Sequence, residues 1–390
     1  MFPKLSPLLT LSSNYIRENG AIFTATEIKG QPALWNEVLD NFIQHQDIIH
    51  SFLLNAYKEV DNIILTGAGT SAFIGLSLHG TFFRNTKIIT QPTATTDIVS
   101  NPQDYFNNDQ TSLLISFARS GNSPESCAAV ELADKFAKKC FHLIITCDEN
   151  GELAKYNSSN PTHVFVLPET ANDKSLAMTG SYSGMLLTGL LVACIHHSKA
   201  NKQQVELLIE AANNIMSFAG LLNEIAQKDF KRAIFLGSGA LFGTATESAL
   251  KLQELTDGKI ICKSDTYLGL RHGPKAVIDE ETLVVYFLSN DDYVKRYELD
   301  LVNAMKDGNN AMYCLAVSES DETIANTNGQ VSFGIKDNKI ADDFLPVCSV
   351  VVGQLLGFYK SLHLGLMPDS PSVNGAISRV VQGVHIYPIY

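Results

Sequence analysis

The sequence predicts an α/β protein built from two tandem copies of one mostly parallel sheet, each covered on both faces by helices. Three observations predict it. The chain repeats itself at a shift of 170 residues: IILTGAGTS (63–71) falls on AIFLGSGAL (233–241), TSLLISFARS (111–120) on ETLVVYFLSN (281–290), and FHLIITCDEN (141–150) on AMYCLAVSES (311–320). Each repeated segment is a short run rich in Val, Ile, Leu and Phe, the composition of a strand buried on both faces. Successive runs are separated by enough chain for the crossover helix that a parallel pair requires. A fourth pair, HVFVLPE (163–169) and QVSFGIK (330–336), sits at a slightly smaller shift.

The elements follow in order. Residues 1–60 read as a helical segment, with apolar Leu34, Val38, Leu39, Phe42, Ile49, Phe52 and Leu53 at helical spacing. The first copy spans 35–200 and includes the strand TKIITQ (86–91) and an apolar helix from Met185 to Ile195. The second copy spans 210–366. Residues 367–390 form a tail that turns through MPDSPSVNG and is expected to complete the site.

Bulk composition narrows the function. A length of 390 residues suits two or three domains at ~150 residues each. With 29 basic against 41 acidic residues and no basic run, a nucleic-acid or anionic-membrane surface is excluded, though a small anion is not. The opening MFPKLSPLLT lacks the apolar core of a signal peptide, and no apolar run reaches the ~18 residues of a membrane span, so a cytoplasmic protein is expected. Seven cysteines stand singly along the chain and read as reduced core residues. A nucleophilic Cys would need a matching His and acid context, and the sequence pattern marks none for any of them.

GAGTSA (67–72) follows a strand and opens a helix, so its backbone N–H groups suit an anion. It also fits the loose dinucleotide pattern GxGxxA. A nicotinamide site wants an acid at the end of the second strand, and TKIITQ ends in Thr90 and Gln91. The third strand ends in ARSGNSPES (118–126), where Ser120, Ser123 and Ser126 flank Gly121, and Arg119 supplies a forked cation. A Ser before a helix usually caps it. The cluster, with Gly69, Thr70 and Ser71 at the neighbouring strand end, favours a phosphate monoester. NDKSLAMTGSYSGM (172–185) adds Thr179 and Ser181 as further donors, while Lys174 reads equally as ligand or solvated loop charge.

The second copy keeps the glycines of GSGALFG but carries FLSNDD in place of the ARSGNS segment, and its two acids would repel phosphate. Its helix TESALKLQEL places Glu247, Lys251 and Glu254 at offsets of zero, four and seven, within a stripe of roughly 60°. An exposed ion-pair ladder is the ordinary explanation. Ala249, Leu250, Leu252 and Leu255 leave most of the helix apolar, which argues for burial and for a carboxylate held near a Lys, as proton transfer needs. Downstream, His272 lies in the turn RHGP and titrates near neutrality.

These residues together resemble the sugar isomerase (SIS) domain family, and the whole chain is similar to two such domains in tandem. The resemblance implies two three-layer αβα domains, each with a five-stranded, mostly parallel sheet. The second copy is similar to the isomerase half of glucosamine-6-phosphate synthase, whose ExALKxxE helix and KHGP turn are matched by ESALKLQE and RHGP. The resemblance places the family's base on Glu254 and its ring-opening histidine, contributed across a dimer, on His272. The family's GTS and SxSGxT phosphate motifs fall on Gly69, Thr70 and Ser71 and on residues 118–123, where Ala118 replaces one donor Ser and Arg119 is expected to take over part of the contact.

The segments ISFARSGNSPES, DKSLAMTGS and RVVQGVxIYP are closer still to the tagatose-6-phosphate ketose/aldose isomerase group, also described as galactosamine-6-phosphate deaminase/isomerase. Two departures from the synthase matter. Phe2 stands where its glutaminase has a Cys, and no such domain is expected before residue 60. Its Schiff-base Lys near the carboxyl end is matched here by Arg379, which stays protonated and is expected to steady anionic oxygen instead.

The implied function is conversion of galactosamine 6-phosphate to tagatose 6-phosphate and ammonia. His272 opens the ring, Glu254 moves the proton, Lys251 stabilises developing charge and Glu247 pairs with Lys251. No metal or organic cofactor is called for, and a homodimer or higher homo-oligomer is expected. The alternatives are simple ketose/aldose isomerisation, sharing every residue named, and a non-catalytic sugar-phosphate regulator, for which the acid stripe would be superfluous.

Overall fold

A computed structural model describes residues 8–307, 310–335, 338–381 and 383–389. Phe2, Lys336, Gln382 and Tyr390, which enter the readings above, lie outside them. The chain divides into two compact units. The first comprises residues 34–172, 180–202 and 378–390, and the second comprises residues up to 33, 173–179 and 203–377.

The first unit holds β1 (Asn62–Gly67), β2 (Ile89–Ala94), β3 (Thr111–Ala118), β4 (Lys139–Thr146) and β5 (Thr162–Val166), all parallel in the order β2-β1-β3-β4-β5. The helical segment expected at the N-terminus includes one long helix, α1 (Ile22–Ala56), with Pro32 inside it. Of its predicted apolar positions, Leu34, Val38, Leu39, Phe42, Ile49 and Leu53 are buried, and Phe52 is half-buried with its ring edge-on to Phe141.

Helix α2 (Thr70–Thr86) follows β1, and α3 (Pro124–Phe136) follows β3. The second strand differs from its expected limits. Lys87, in the left-handed region at φ 61°, closes α2, so β2 starts at Ile89 and runs past Thr90 and Gln91 to Ala94. Pro92 is tolerated there because β2 is an edge strand, paired only with β1. Helix α4 is Gly180–Ala193 rather than Met185–Ile195. Its polar first turn reads as loop in sequence, but its residues are buried and helical, and Ser183 accepts a hydrogen bond from the Trp35 indole at 3.0 Å.

The second unit repeats the plan with β6 (Arg232–Leu236), β7 (Ile261–Asp265), β8 (Thr282–Phe287), β9 (Tyr313–Ser318) and β10 (Gly329–Ser332) in the order β10-β9-β8-β6-β7. Every pair is parallel. Its helices include α5 (Ala219–Ala226), α6 (Leu241–Leu255), α7 (Asp292–Ala304) and α8 (Leu345–His363). The repeated glycines have one structural cause. A Cβ on Gly67 would lie 2.6 Å from Ser71, one on Gly237 would lie 2.2 Å from the Leu241 carbonyl, and Gly69 and Gly239 are left-handed at φ 55° and 54°.

Helix α8 is long and apolar enough to cross a membrane, a composition the sequence reading did not expect, yet its apolar stretch is wholly buried. It is the core helix of the second unit and packs on α6. Gly353 and Gly357 set the approach: a Cβ on Gly353 would lie 2.2 Å from Ser248 Oγ, and one on Gly357 would lie 3.1 Å from the Lys251 carbonyl. Two of its long polar side chains have partners, with Gln354 accepting from Gln31 at 2.6 Å and Lys360 donating to the Lys228 carbonyl at 2.7 Å. All seven cysteines are free; Cys140, Cys147 and Cys348 are buried, whereas Cys127, Cys194, Cys262 and Cys314 are only half-buried.

Gly353→Ala, which forces a methyl group into α6, is expected to cost about 1–3 kcal/mol in urea unfolding. An unchanged midpoint would show that the two helices are not held at this distance.

Candidate active site

Helix α6 carries the charged stripe, and it is not a surface ladder. The side chains of Glu247 and Lys251 are 0% and 1% exposed, while that of Glu254 is 24% exposed. Lys251 Nζ lies 2.5 Å from Glu254 Oε2 and 3.4 Å from Glu247 Oε1. Burial alone would lower the Lys251 pKa. The two carboxylates more than offset it, so the ammonium is held above its usual value. A cation fixed between two carboxylates, one sealed and one at the surface, sets the position of the outer group.

His272 follows the helical turn Tyr267–Leu270, and Gly273 after it takes φ 114°. The imidazole is exposed and, among the described residues, makes no hydrogen bond or ion pair. Leu268 and Val277 on either side are also exposed, at 51% and 39%. Thr179 is wholly buried; its amide donates to Asp173 at 2.8 Å and its hydroxyl to the same carboxylate at 3.3 Å. Lys174 is exposed, with its ammonium 6.0 Å from the centre of the Phe23 ring.

The first unit gathers most of the proposed phosphate donors. Thr70 and Ser71 are buried in the first turn of α2, directly after left-handed Gly69. Ser181 is buried in the first turn of α4. Arg119 is 6% exposed, and its guanidinium donates to the backbone carbonyl of Arg379. Arg379 in turn donates to Asn172 Oδ1 at 2.9 Å, so the tail reaches the end of β3 within this unit. Ser120 and Ser123 are half-buried. Ser123 occupies the N-cap position of α3, but its hydroxyl donates to Ser126 Oγ at 2.6 Å and caps no helix amide.

The equivalent loop of the second unit shows what such backbone holds. Ser289 and Asn290 correspond to Arg119 and Ser120 in the repeat. Ser289 N–H donates to Glu298 at 2.8 Å, while Ser289 Oγ and Asn290 N–H both donate to Asp342 at 2.7 Å. The protein's own carboxylates therefore occupy this loop. The acids of FLSNDD act otherwise: Asp291 caps α7 by accepting from the Tyr293 and Val294 amides. Sequence reasoning missed Glu298 and Asp342. The signal for Glu298 was a carboxylate on the apolar face of α7, in step with Val294, Leu301 and Val302.

A family model described as the SIS domain matches residues 56–195 and 225–359. The chain belongs to the SIS domain family. Within it, the chain is 38% identical over 386 residues to D-galactosamine-6-phosphate deaminase AgaS of Shewanella sp. (strain ANA-3), covering 97% of this chain and 95% of that one. The crystal structure of tagatose-6-phosphate ketose/aldose isomerase from Escherichia coli is 36% identical with a TM-score of 0.83, covering 94% of this chain and 96% of that one. A more distant SIS relative is glutamine–fructose-6-phosphate aminotransferase (isomerizing) of Buchnera aphidicola subsp. Baizongia pistaciae (strain Bp). It is 24% identical over 88% of this chain but only 56% of its own length, in keeping with the expected likeness to part of such a synthase.

Burial raises the Glu298 carboxyl from 4.5 to about 7, against the Ser289 amide that favours its charge. The folded state therefore holds a proton that the unfolded chain releases, and stability falls as pH rises from about 4.5 through about 7. Glu298→Gln is expected to flatten that decline in urea unfolding followed across this range. An unchanged slope would place the titrating group elsewhere.

Proposed function

We propose that this SIS protein converts galactosamine 6-phosphate to tagatose 6-phosphate and ammonia. The observation that carries the reading is the buried Glu247, Lys251 and Glu254 stripe, whose outer carboxylate alone remains accessible. The activity printed for the Shewanella relative supplies the substrate. Thr70, Ser71, Arg119, Ser120 and Ser123 take the phosphate, anchoring the non-reacting end of the substrate. Arg379 steadies its anionic oxygens.

With the ring open, Glu254 removes the proton from carbon two and an enolamine forms between carbons one and two. Returning the proton to carbon one gives an imine at carbon two, and water replaces its nitrogen, releasing ammonia and leaving the ketose. Lys251 stabilises charge that develops during proton transfer, and Glu247 keeps Lys251 charged and in place. Ring opening falls to His272 of the partner subunit in a homodimer or higher homo-oligomer. The exposed turn, with Leu268 and Val277 beside that residue, supports an intersubunit role. Seven free cysteines suit a reducing compartment, and we place the protein in the cytoplasm.

Ketose/aldose isomerisation without loss of nitrogen is the second reading, favoured by the name of the Escherichia coli structure. Incubation with galactosamine 6-phosphate, glucosamine 6-phosphate and tagatose 6-phosphate, with ammonia and sugar products measured, separates the two. Ammonia is expected from galactosamine 6-phosphate. Conversion of tagatose 6-phosphate to an aldose without any ammonia would establish the second reading, and inertness toward all three would overturn both.

A further inference from the structure

The loop that follows β4, residues 147–153, lies against the end of β3 and the turn after it. Cys147 N–H donates to the carbonyls of Ala118 and Arg119, both at 3.2 Å, and Leu153 N–H donates to the carbonyl of Gly121 at 3.0 Å. Between them, the Ser120 carbonyl points at Gly151: a Cβ there would lie 2.2 Å from the oxygen and 3.1 Å from its carbon. The Asn122 side chain closes the clasp by accepting from Glu152 N–H at 3.0 Å.

Four consecutive carbonyls, 118 to 121, thus face this loop. A trans peptide directs its N–H opposite to its C=O, so the amides of Ser120, Gly121 and Asn122 point away from it. The Ser120 hydroxyl lies on that same far side, accepting from Asn122 N–H at 3.3 Å. Gly121 is left-handed at φ 65°, the conformation that curls successive amides into an anion-binding concavity. In the second unit the Asn290 amide, which corresponds to that of Ser120, donates to the Asp342 carboxylate at 2.7 Å, so this backbone position there serves an acidic side chain.

We propose that Gly151 is a positioning residue for the substrate's phosphate monoester. By leaving room for the Ser120 carbonyl, it turns the Ser120 and Gly121 amides toward the anion. The inference rests on the phosphate assignment made above. Any side chain at 151 must push the Ser120 peptide round or lift the 147–153 loop, and either change misdirects the donors without touching the acid stripe of α6.

The test compares Gly151→Ala and Asn122→Ala with the unaltered protein in ammonia release from galactosamine 6-phosphate and in competition by inorganic phosphate. Gly151→Ala is expected to raise both KM and the phosphate inhibition constant about tenfold, with kcat within about threefold, since small misplacements of binding groups act on this scale. Asn122→Ala, which removes an exposed side chain, is expected to raise both about threefold. If the unaltered protein neither releases ammonia nor is inhibited by phosphate, the functional reading itself fails. If it does both while KM and phosphate inhibition are unmoved in the variants, or kcat alone falls, Gly151 does not position the phosphate. Should Gly151→Ala not fold, Asn122→Ala decides by the same criteria.

Discussion

A lysine with no access to water, held between two carboxylates on one helix, is the constraint from which the rest of the second unit follows. An unpaired charge at that depth would cost several kcal/mol, so Glu247 and Glu254 must both stay in place around Lys251. The helix that carries them must be pressed against a neighbour to keep water out. Gly353 and Gly357 let the α8 backbone come close enough to do so. The sealed end of the stripe is shut off from water, while the open end stays partly exposed.

One backbone plan recurs in the two units with different residues at the same turn. Each has the same strand order, the same left-handed glycine before the helix that follows its first strand, and a turn of donors after its third strand. In the second unit Glu298 and Asp342 fill that turn from within. In the first, the turn carries Arg119, two serines and a left-handed glycine, residue types suited to an anion from outside. The two copies share a strand order and differ in the residues of this turn.

The sheets were legible because parallel strands buried on both faces leave dense apolar runs, and because the repeat doubles each signal. The stripe was legible because charges at helical spacing on an apolar helix have few explanations. What escaped was set by tertiary context. The first turn of α4 looks like loop because its serines find partners only in the folded unit, as Ser183 does in Trp35. The limits of β2 depend on the reversal at Lys87, a left-handed residue that is not glycine. Glu298 and Asp342 are 44 residues apart in sequence and meet only through the loop they share. The role of Gly151 depends on a carbonyl 31 residues earlier, which no local pattern reveals.

In the proposed reaction the accessible carboxylate of the buried stripe moves a proton on the sugar's carbon chain. Its most direct test follows loss of the carbon-two proton signal of galactosamine 6-phosphate in deuterium oxide by NMR, comparing the unaltered protein with Glu254→Gln. Exchange or consumption is expected with the former. With the variant the loss is expected to be at least a hundredfold slower, the scale of positioned acid–base catalysis, while the substrate still binds. Exchange at the unaltered rate in the variant would remove Glu254 from this role.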